Sequence, residues 1–430
     1  MMSSFIKLLI NKRMYFIVKY KILIENIASM FGLRSLEYVI SILITPYLVR
    51  VLEPSGYGSL VYIQGIIQYF IMINRYGFAY SATKKIAEKC EKTNIIVSSV
   101  LYAELIVTLF SSIILLFGVF MLWMHEYYLY ASLICCMFLS IIGNTFFPIW
   151  FFQGIQKMRF ITIANLVARI ITLLLVFNIV NNNDDIIIAA FLISVSPLIA
   201  TVIAFYIMYK ECGWFLTKVN PKKIMDVFVD GWDYFVSSIA SSIYSNSNIV
   251  ILGLLSTPEM VGIYSGADKI IKSVVGIFSP ISQAVFPYMI TQYRDNKNKA
   301  ALFFYKFAKI TLICSFIISL MMGFFSKNIV YIFLGEGFKQ SVDIMMLLCP
   351  IIFMMISSNV LGTLYLIPLG FKKIFSRIIF WGAVIDILIV IPLAHFYDVY
   401  GVAFCNLLIE STITISMAVI FLRNKFNYNA

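Results

Sequence analysis

The sequence is poor in charge and nearly lacks histidine. Only 13% of its 430 residues are Asp, Glu, Lys or Arg, about half the share of an ordinary soluble domain. Two histidines, His125 and His395, and no Cys-x-x-Cys spacing argue against a zinc site. The seven cysteines suggest no disulfide framework. Cys135, Cys136, Cys314, Cys349 and Cys405 lie in apolar runs and read as small buried hydrophobes, while Cys90 and Cys212 lie in basic loops. No GxxxxGK[ST] phosphate loop occurs, which excludes ATP hydrolysis by that route. No haem or flavin motif appears, so neither a cofactor nor a metal is expected. No small-residue cleavage site follows a short apolar core near the start, so a removable signal peptide is not expected.

What is there is apolar surface. Hydrophobic residues make up 61% of the chain, and the mean hydropathy is +0.92. A soluble fold cannot hide that much, and disordered chains are poor in such residues. An all-α integral membrane protein remains. At about 20 residues per span, twelve helices are expected, over 26–51, 57–79, 97–123, 128–152, 160–180, 186–209, 232–255, 261–290, 301–325, 342–367, 376–396 and 400–422. Pro280 and Pro287 are expected to kink the eighth.

The net charge of +12 sets the orientation rather than marking a nucleic-acid partner. With the N-terminus in the cytoplasm, the inner loops hold Lys84, Lys85, Lys89 and Lys92; Lys157 and Arg159; Lys210, Lys218, Lys222 and Lys223; Arg294, Lys297, Lys299 and Lys306; and Lys372, Lys373 and Arg377. The outer loops hold Arg50, Lys327 and Lys339. Both termini are therefore expected inside. Residues 1–25 interleave lysines with Phe5, Ile6, Leu8 and Leu9, as an amphipathic segment on the anionic inner leaflet would.

The chain divides into 26–210, a linker at 211–230 and 231–430. In the linker, Asn220 as N-cap and Pro221 as first helical residue start a short surface helix. The two halves echo each other. Pro54-Ser55-Gly56-Tyr57-Gly58 follows span 1, and Pro258-Glu259-Met260-Val261-Gly262 follows span 7. Two six-helix halves of like orientation place a substrate path between them. The alternative is turn chemistry alone, which also favours Pro and Gly at corners.

Polar stripes mark candidate cavity walls. Span 1 has Arg34, Glu37, Ser41 and Thr45; span 2 has Gln64, Gln68 and Arg75; span 7 has Ser238, Ser241, Ser245 and Asn248; span 8 has Ser265, Asp268, Lys272, Gly276, Ser279 and Gln283. Each spacing keeps its members on one helical side. Small hydroxyl residues also pack helices in lipid, so span 7 fits either reading. Span 8 favours a cavity, because two lysines and an aspartate are costly in lipid. Arg34 with Glu37, and Asp268 with Lys272, are spaced to neutralise each other. Lys269 has no such helical partner and is the better candidate for an anion. Arg75 reads as a snorkelling residue, and Arg169 serves structure or substrate equally. Glu104, Asp343, Asp386 and Glu410 are isolated acids, any of which could carry a coupling proton or sodium ion. Asp184-Asp185 reads as a polar turn in an outer loop too small to hold an enzyme's acceptor site.

The runs Pro46-Tyr47-Leu48-Val49-Arg50-Val51-Leu52, Tyr76-Gly77-Phe78-Ala79-Tyr80-Ser81-Ala82-Thr83, Pro148-Ile149-Trp150-Phe151-Phe152-Gln153-Gly154 and Val261-Gly262-Ile263-Tyr264-Ser265 stand in this order along nearly the whole chain. In them the sequence resembles the polysaccharide transporter family, the O-antigen (Wzx-type) flippases, within the superfamily of multidrug, oligosaccharidyl-lipid and polysaccharide exporters. The resemblance implies two six-helix bundles around a central cavity (MATE-like) in the bacterial inner membrane. It implies a non-enzymatic flippase, working by alternating access, that carries undecaprenyl-diphosphate-linked oligosaccharide from the cytoplasmic to the periplasmic leaflet. A polysaccharide polymerase and a chain-length regulator are implied as partners. Arg34, Lys269 and Lys272 match the basic cavity residues of such relatives. The alternatives are an organic-cation extruder of the same superfamily or a membrane enzyme of polysaccharide assembly.

Overall fold

The computed structural model describes residue 40 and residues 43–88, 92–295 and 297–429. Among them there is no strand. Helix α1 covers 43–75, followed by α2 (Phe78–Ala87), α3 (Thr93–Met124), α4 (Tyr128–Phe146), α5 (Ile149–Gly154), α6 (Arg159–Ile179), α7 (Ile186–Cys212), α8 (Pro221–Leu255), α9 (Pro258–Asp295), α10 (Lys297–Phe324), α11 (Ser326–Phe333), α12 (Ser341–Leu361) and α13 (Lys372–Asn429). A π turn, Gly362–Leu366, closes α12.

Eight of the described helices are long and apolar enough to cross a membrane. One of these, α13, joins two helices across a kink. The chain turns back at Glu53 (φ 56) within α1 and at Asp398 (φ 51) within α13. Helices α8 and α9, at 35 and 38 residues, are also long enough to cross. Leu109, Phe110, Ile113, Leu116, Phe117 and Phe120 along α3 face outward and exposed, as only a lipid solvent permits.

The expected short linker helix is not a separate element. Asn220 caps it, accepting from the Lys222 backbone N–H at 3.0 Å. Nothing downstream breaks it, so it continues as α8 to Leu255. Even Gly231 is kept helical, where α2 presses in: a Cβ on Gly77 would strike the Gly231 carbonyl. Helix α9 likewise runs as one element through Pro280 and Pro287. Cys212 is the last residue of α7 rather than a loop residue. The Asn181–Asp185 segment is a capped turn, with the Asp185 carboxylate accepting from the N–H groups of Asn181 (2.8 Å) and Asn182 (3.0 Å).

The two proline corners seen in the sequence lie against each other. A Cβ on Gly58 would collide with the Pro258 carbonyl, and one on Gly262 with the Pro54 carbonyl. Each corner thus supplies the glycine that admits the other's backbone. That reciprocity is what a two-fold relation between the halves requires. Around this seam, Arg50 donates to the Ile332 carbonyl, and the rings of Tyr57 and Phe338 meet edge to face at 6.5 Å. One buried core therefore joins Leu48, Leu52 and Leu60 of the first half to Val261, Leu334 and Phe338 of the second. A separate core fills the inner part of the first half, from Phe78 through Trp150, Phe151 and Phe152 to Ala204 and Val227.

Candidate functional site

The second half is hollow. A cavity of about 570 Å³ opens among α8, α9, α10, α12 and α13, within the range of small-molecule sites. Its polar wall comprises Asn246, Lys272, Ser279, Ser282, Thr311, Ser358, Asn359, Thr363 and Glu410, set among Phe278, Phe307, Phe375 and aliphatic residues. The Ser282 hydroxyl donates to the Asn359 side-chain oxygen at 2.6 Å, tying α9 to α12 across it. Hydroxyls and amides flanked by aromatic faces are the chemistry that binds polyhydroxylated ligands.

The cations stand at one wall. Lys272 pairs with Asp268 at 2.8 Å, the lysine 44% exposed and the carboxylate 7%. Lys269 lies within electrostatic reach of Asp268, Lys272 and Arg169. Because α6 carries Arg169 and α9 the lysines, basic groups from both halves converge on one region. Behind them, Tyr264 accepts a hydrogen bond from Asn406 at 3.2 Å, and Cys405 Sγ contacts Asp386 Oδ1 at 3.5 Å. Asp386 is 1% exposed, and its Oδ2 has no hydrogen-bond partner among the described residues.

The described residues of the first half hold a buried polar cluster. Glu104 is 2% exposed and accepts from the Trp150 indole at 3.1 Å. Arg75 lies within electrostatic reach of it and donates to Asn144 Oδ1 at 3.0 Å, so its guanidinium is bound to α4 rather than merely snorkelling. Ser111 donates to Asn74 Oδ1 at 2.5 Å. The Thr83 hydroxyl reaches both the Ala79 carbonyl (2.5 Å) and the Trp150 carbonyl (3.2 Å). A Cβ on Gly154 would strike Ile86. The Tyr76–Thr83 and Trp150–Gly154 runs therefore pack on each other around Glu104.

The structure distributes the sequence candidates as follows. Lys272, Gly276, Ser279 and Glu410 line the second-half cavity, and Asp268 supports Lys272. Asp386 and Asn248 are set back from it, the latter with its buried Oδ1 unpartnered among the described residues. Gln64 is half-buried and Gln68 exposed on α1. Their helix crosses α8 directly, with Gly253 against the Tyr62 ring and Gly65 against Val250. Arg34, Glu37 and Ser41 lie outside the described residues, as do the side chains of Ser238, Ser241, Ser245 and Gln283. The polar set missed in the sequence is Asn246, Ser282, Ser358, Asn359 and Thr363. Asn359 and Thr363 stand one helical turn apart in an otherwise apolar span, and that spacing was the available signal.

Comparisons with known proteins agree with this architecture. The sequence model of a family described as "Polysaccharide biosynthesis protein" matches residues 23–292. A protein of Escherichia coli (strain K12) named "Putative O-antigen transporter" is 29% identical over 405 residues, covering 93% of this chain and 97% of the relative. One of the same name from Shigella dysenteriae is 28% identical, over 91% and 98% respectively. Among solved structures, the lipid II flippase MurJ in an inward closed conformation superposes with a TM-score of 0.67 at 14% identity, covering 93% of this chain and 87% of that one. A MATE in complex with MaL6 superposes at 0.62 and 12% identity, over 93% and 94%. These two show a shared all-helical membrane fold. With more than half of its length matched by the family model, the chain belongs to the polysaccharide biosynthesis protein family, that of the Wzx-type polysaccharide transporters.

Proposed function

We propose that this protein flips lipid-linked oligosaccharide units from the cytoplasmic to the outer leaflet of the bacterial inner membrane, with both termini in the cytoplasm. The observation that carries the reading is the pairing of a hydroxyl- and amide-walled cavity with a cluster of basic groups inside a membrane fold. Hydroxyls and amides hydrogen-bond a glycan, and ammonium and guanidinium groups hold a carrier's diphosphate by charge-assisted bonds. The carrier this implies is undecaprenyl diphosphate. The contact between the proline corners closes the outer end. Alternating access then requires that seam to part as the substrate passes out. A proton or sodium ion is the natural coupling partner, with Asp386 and Glu410 as its candidate seats. A polymerase and a chain-length regulator are the natural downstream partners.

The test is a deletion strain. Surface polysaccharide should fall while lipid-linked units accumulate on the cytoplasmic side, and the cloned gene should restore export. Normal polysaccharide in the deletion strain would overturn the reading. Efflux of a cationic dye by the purified protein in vesicles, without movement of lipid-linked sugar, would point to an extruder instead.

A further inference from the structure

The connection from α7 to α8 is an extended strap tied to α3. Asn94 Nδ2 donates to the Trp214 carbonyl at 3.0 Å. The buried Ser98 hydroxyl donates to the Phe215 carbonyl at 2.7 Å and accepts the Thr217 N–H at 2.8 Å. Side chains alternate along an extended segment. Phe215, Thr217 and Val219 are the less exposed set, and the Phe215 ring meets Phe205 at 5.8 Å. Trp214, Leu216 and Lys218 turn outward, the indole 68% exposed.

Helix α8 continues this surface. Lys222, Met225, Val229 and Trp232 are spaced 3, 4 and 3, so they share one helical side, and all four are exposed. The opposite side, with Ile224, Val227 and Phe228, packs into the first-half core. Strap and helix together present an apolar field with Lys218 and Lys222 set in it. In water such a field would draw aggregation, but its depth places it in lipid. Helix α7 runs 27 residues, about 40 Å, some 10 Å more than the hydrocarbon core. With its start at the outer boundary, its last turn and the strap reach the inner headgroup layer. There Lys210 lies over the Tyr206 ring at 4.5 Å.

Charge selects the kind of lipid. Between Gly213 and Val229 three lysines, Lys218, Lys222 and Lys223, stand against one acid, Asp226. The flanking acids Glu211 and Asp230 are paired with Lys157 and Lys85. Lys222 also lies in the first turn of α8, where no acid offsets the helix dipole. We propose that the strap and the start of α8 form a seat for an anionic phospholipid of the inner leaflet. Its phosphate lies between Lys218 and Lys222, and its acyl chains run along Met225 and Val229. Helix α8 belongs to both cores, through Val227 in one and Leu252 in the other. The lipid therefore holds one end of the helix that links the halves. This inference stands apart from the flippase reading, because its readout is lipid binding.

The experiment uses the full chain in phosphatidylcholine nanodiscs carrying a trace of photoactivatable phosphatidylglycerol or photoactivatable phosphatidylcholine. Cross-linked peptides are mapped by mass spectrometry. Residues 213–232 should take up phosphatidylglycerol about twentyfold more than phosphatidylcholine, and the α10 face around Leu320 should take up both equally. Lys218→Gln and Lys222→Gln should each lower the preference about fivefold. Phosphatidylglycerol should also raise the unfolding temperature of the wild type and not of the double variant. Ser98→Ala leaves every charge in place but frees the strap, and it should lower the preference too. Asn94→Ala releases the strap at Trp214 alone and gives a milder second test.

Equal labelling of 213–232 by the two lipids would overturn the proposal, as would an undiminished preference in the double lysine variant. A wild-type preference in both folded strap variants would reduce the seat to bulk charge attraction. Displacement of the label by undecaprenyl phosphate would make it a substrate site instead. A protein adduct at these residues in intact cells, with no lipid adduct, would make it a partner surface.

Discussion

The two halves share a plan but differ in how they are filled. In the first half, Phe78, Trp150, Phe151 and Phe152 form a buried core beside Glu104. The corresponding region of the second half encloses about 570 Å³ bounded by Lys272, Asn359 and Glu410. A packed body transmits motion as a unit, whereas a hollow one can bind. The difference teaches that the family's most recognisable runs, Tyr76–Thr83 and Trp150–Gly154, build a rigid body. Among the described residues, the polar-walled cavity lies in the less distinctive second half.

The comparison yields four ways to break it. The largest effect belongs to the seam that joins the halves. Gly58→Leu drives a side chain into the Pro258 carbonyl. Overpacking of about 1–3 kcal/mol lowers the ratio of closed to open seam by roughly five- to 150-fold. A cysteine at the buried Val261, introduced as Val261→Cys, should then react with an impermeant maleimide added outside, and export should fall in step. Unchanged labelling would show that the seam is not the outer closure.

In the packed half, substitutions should act on stability. Glu104→Leu removes the acceptor from a buried indole N–H and should cost about 1–3 kcal/mol in thermal unfolding. Glu104→Gln keeps a carbonyl for Trp150 and should cost well under half of that. If Glu104→Gln abolishes transport at full stability, the first half does more than hold shape.

In the hollow half, substitutions should act on transport. Lys272→Ala leaves the Asp268 carboxylate buried without its partner. Flipping in vesicles should drop by about tenfold, close to the 1–2 kcal/mol of a lost charged contact. Lys272→Ala combined with Asp268→Asn should recover folding but not flipping. The smallest effect is expected for Ser282→Ala, which removes one hydroxyl from the cavity and its 2.6 Å bond to Asn359. Flipping should fall about two- to fivefold, with unfolding shifted by no more than about 1 kcal/mol. A larger loss of stability than of transport would make that bond structural.

Much of this was legible in the sequence where a local rule decides the outcome. Asn220 and Pro221 announce a helix start because a cap and a missing N–H concern neighbours in sequence. The stripe Ser265, Asp268, Lys272, Gly276, Ser279 and Gln283 announces a polar face because helical spacing is fixed, and three of its six members line the cavity. The end of that same linker helix was misjudged. What carries α8 on to Leu255 is its packing against α2, including the Tyr76 ring stacked on Phe235 at 4.3 Å. Glu104 was indistinguishable from Asp343, Asp386 and Glu410 in sequence. Its indole partner is 46 residues away and is brought near only by the fold.

The sequence by itself determined that the chain lives in a membrane and that two like corners recur. Hydrophobicity and turn chemistry are properties of short stretches. Only the tertiary structure decided which residues wall the second-half cavity, that the two corners interlock through Gly58 and Gly262, and that Arg169 approaches Lys269 from the other half. Those outcomes depend on which helix faces which, set by close packing between residues far apart in the chain.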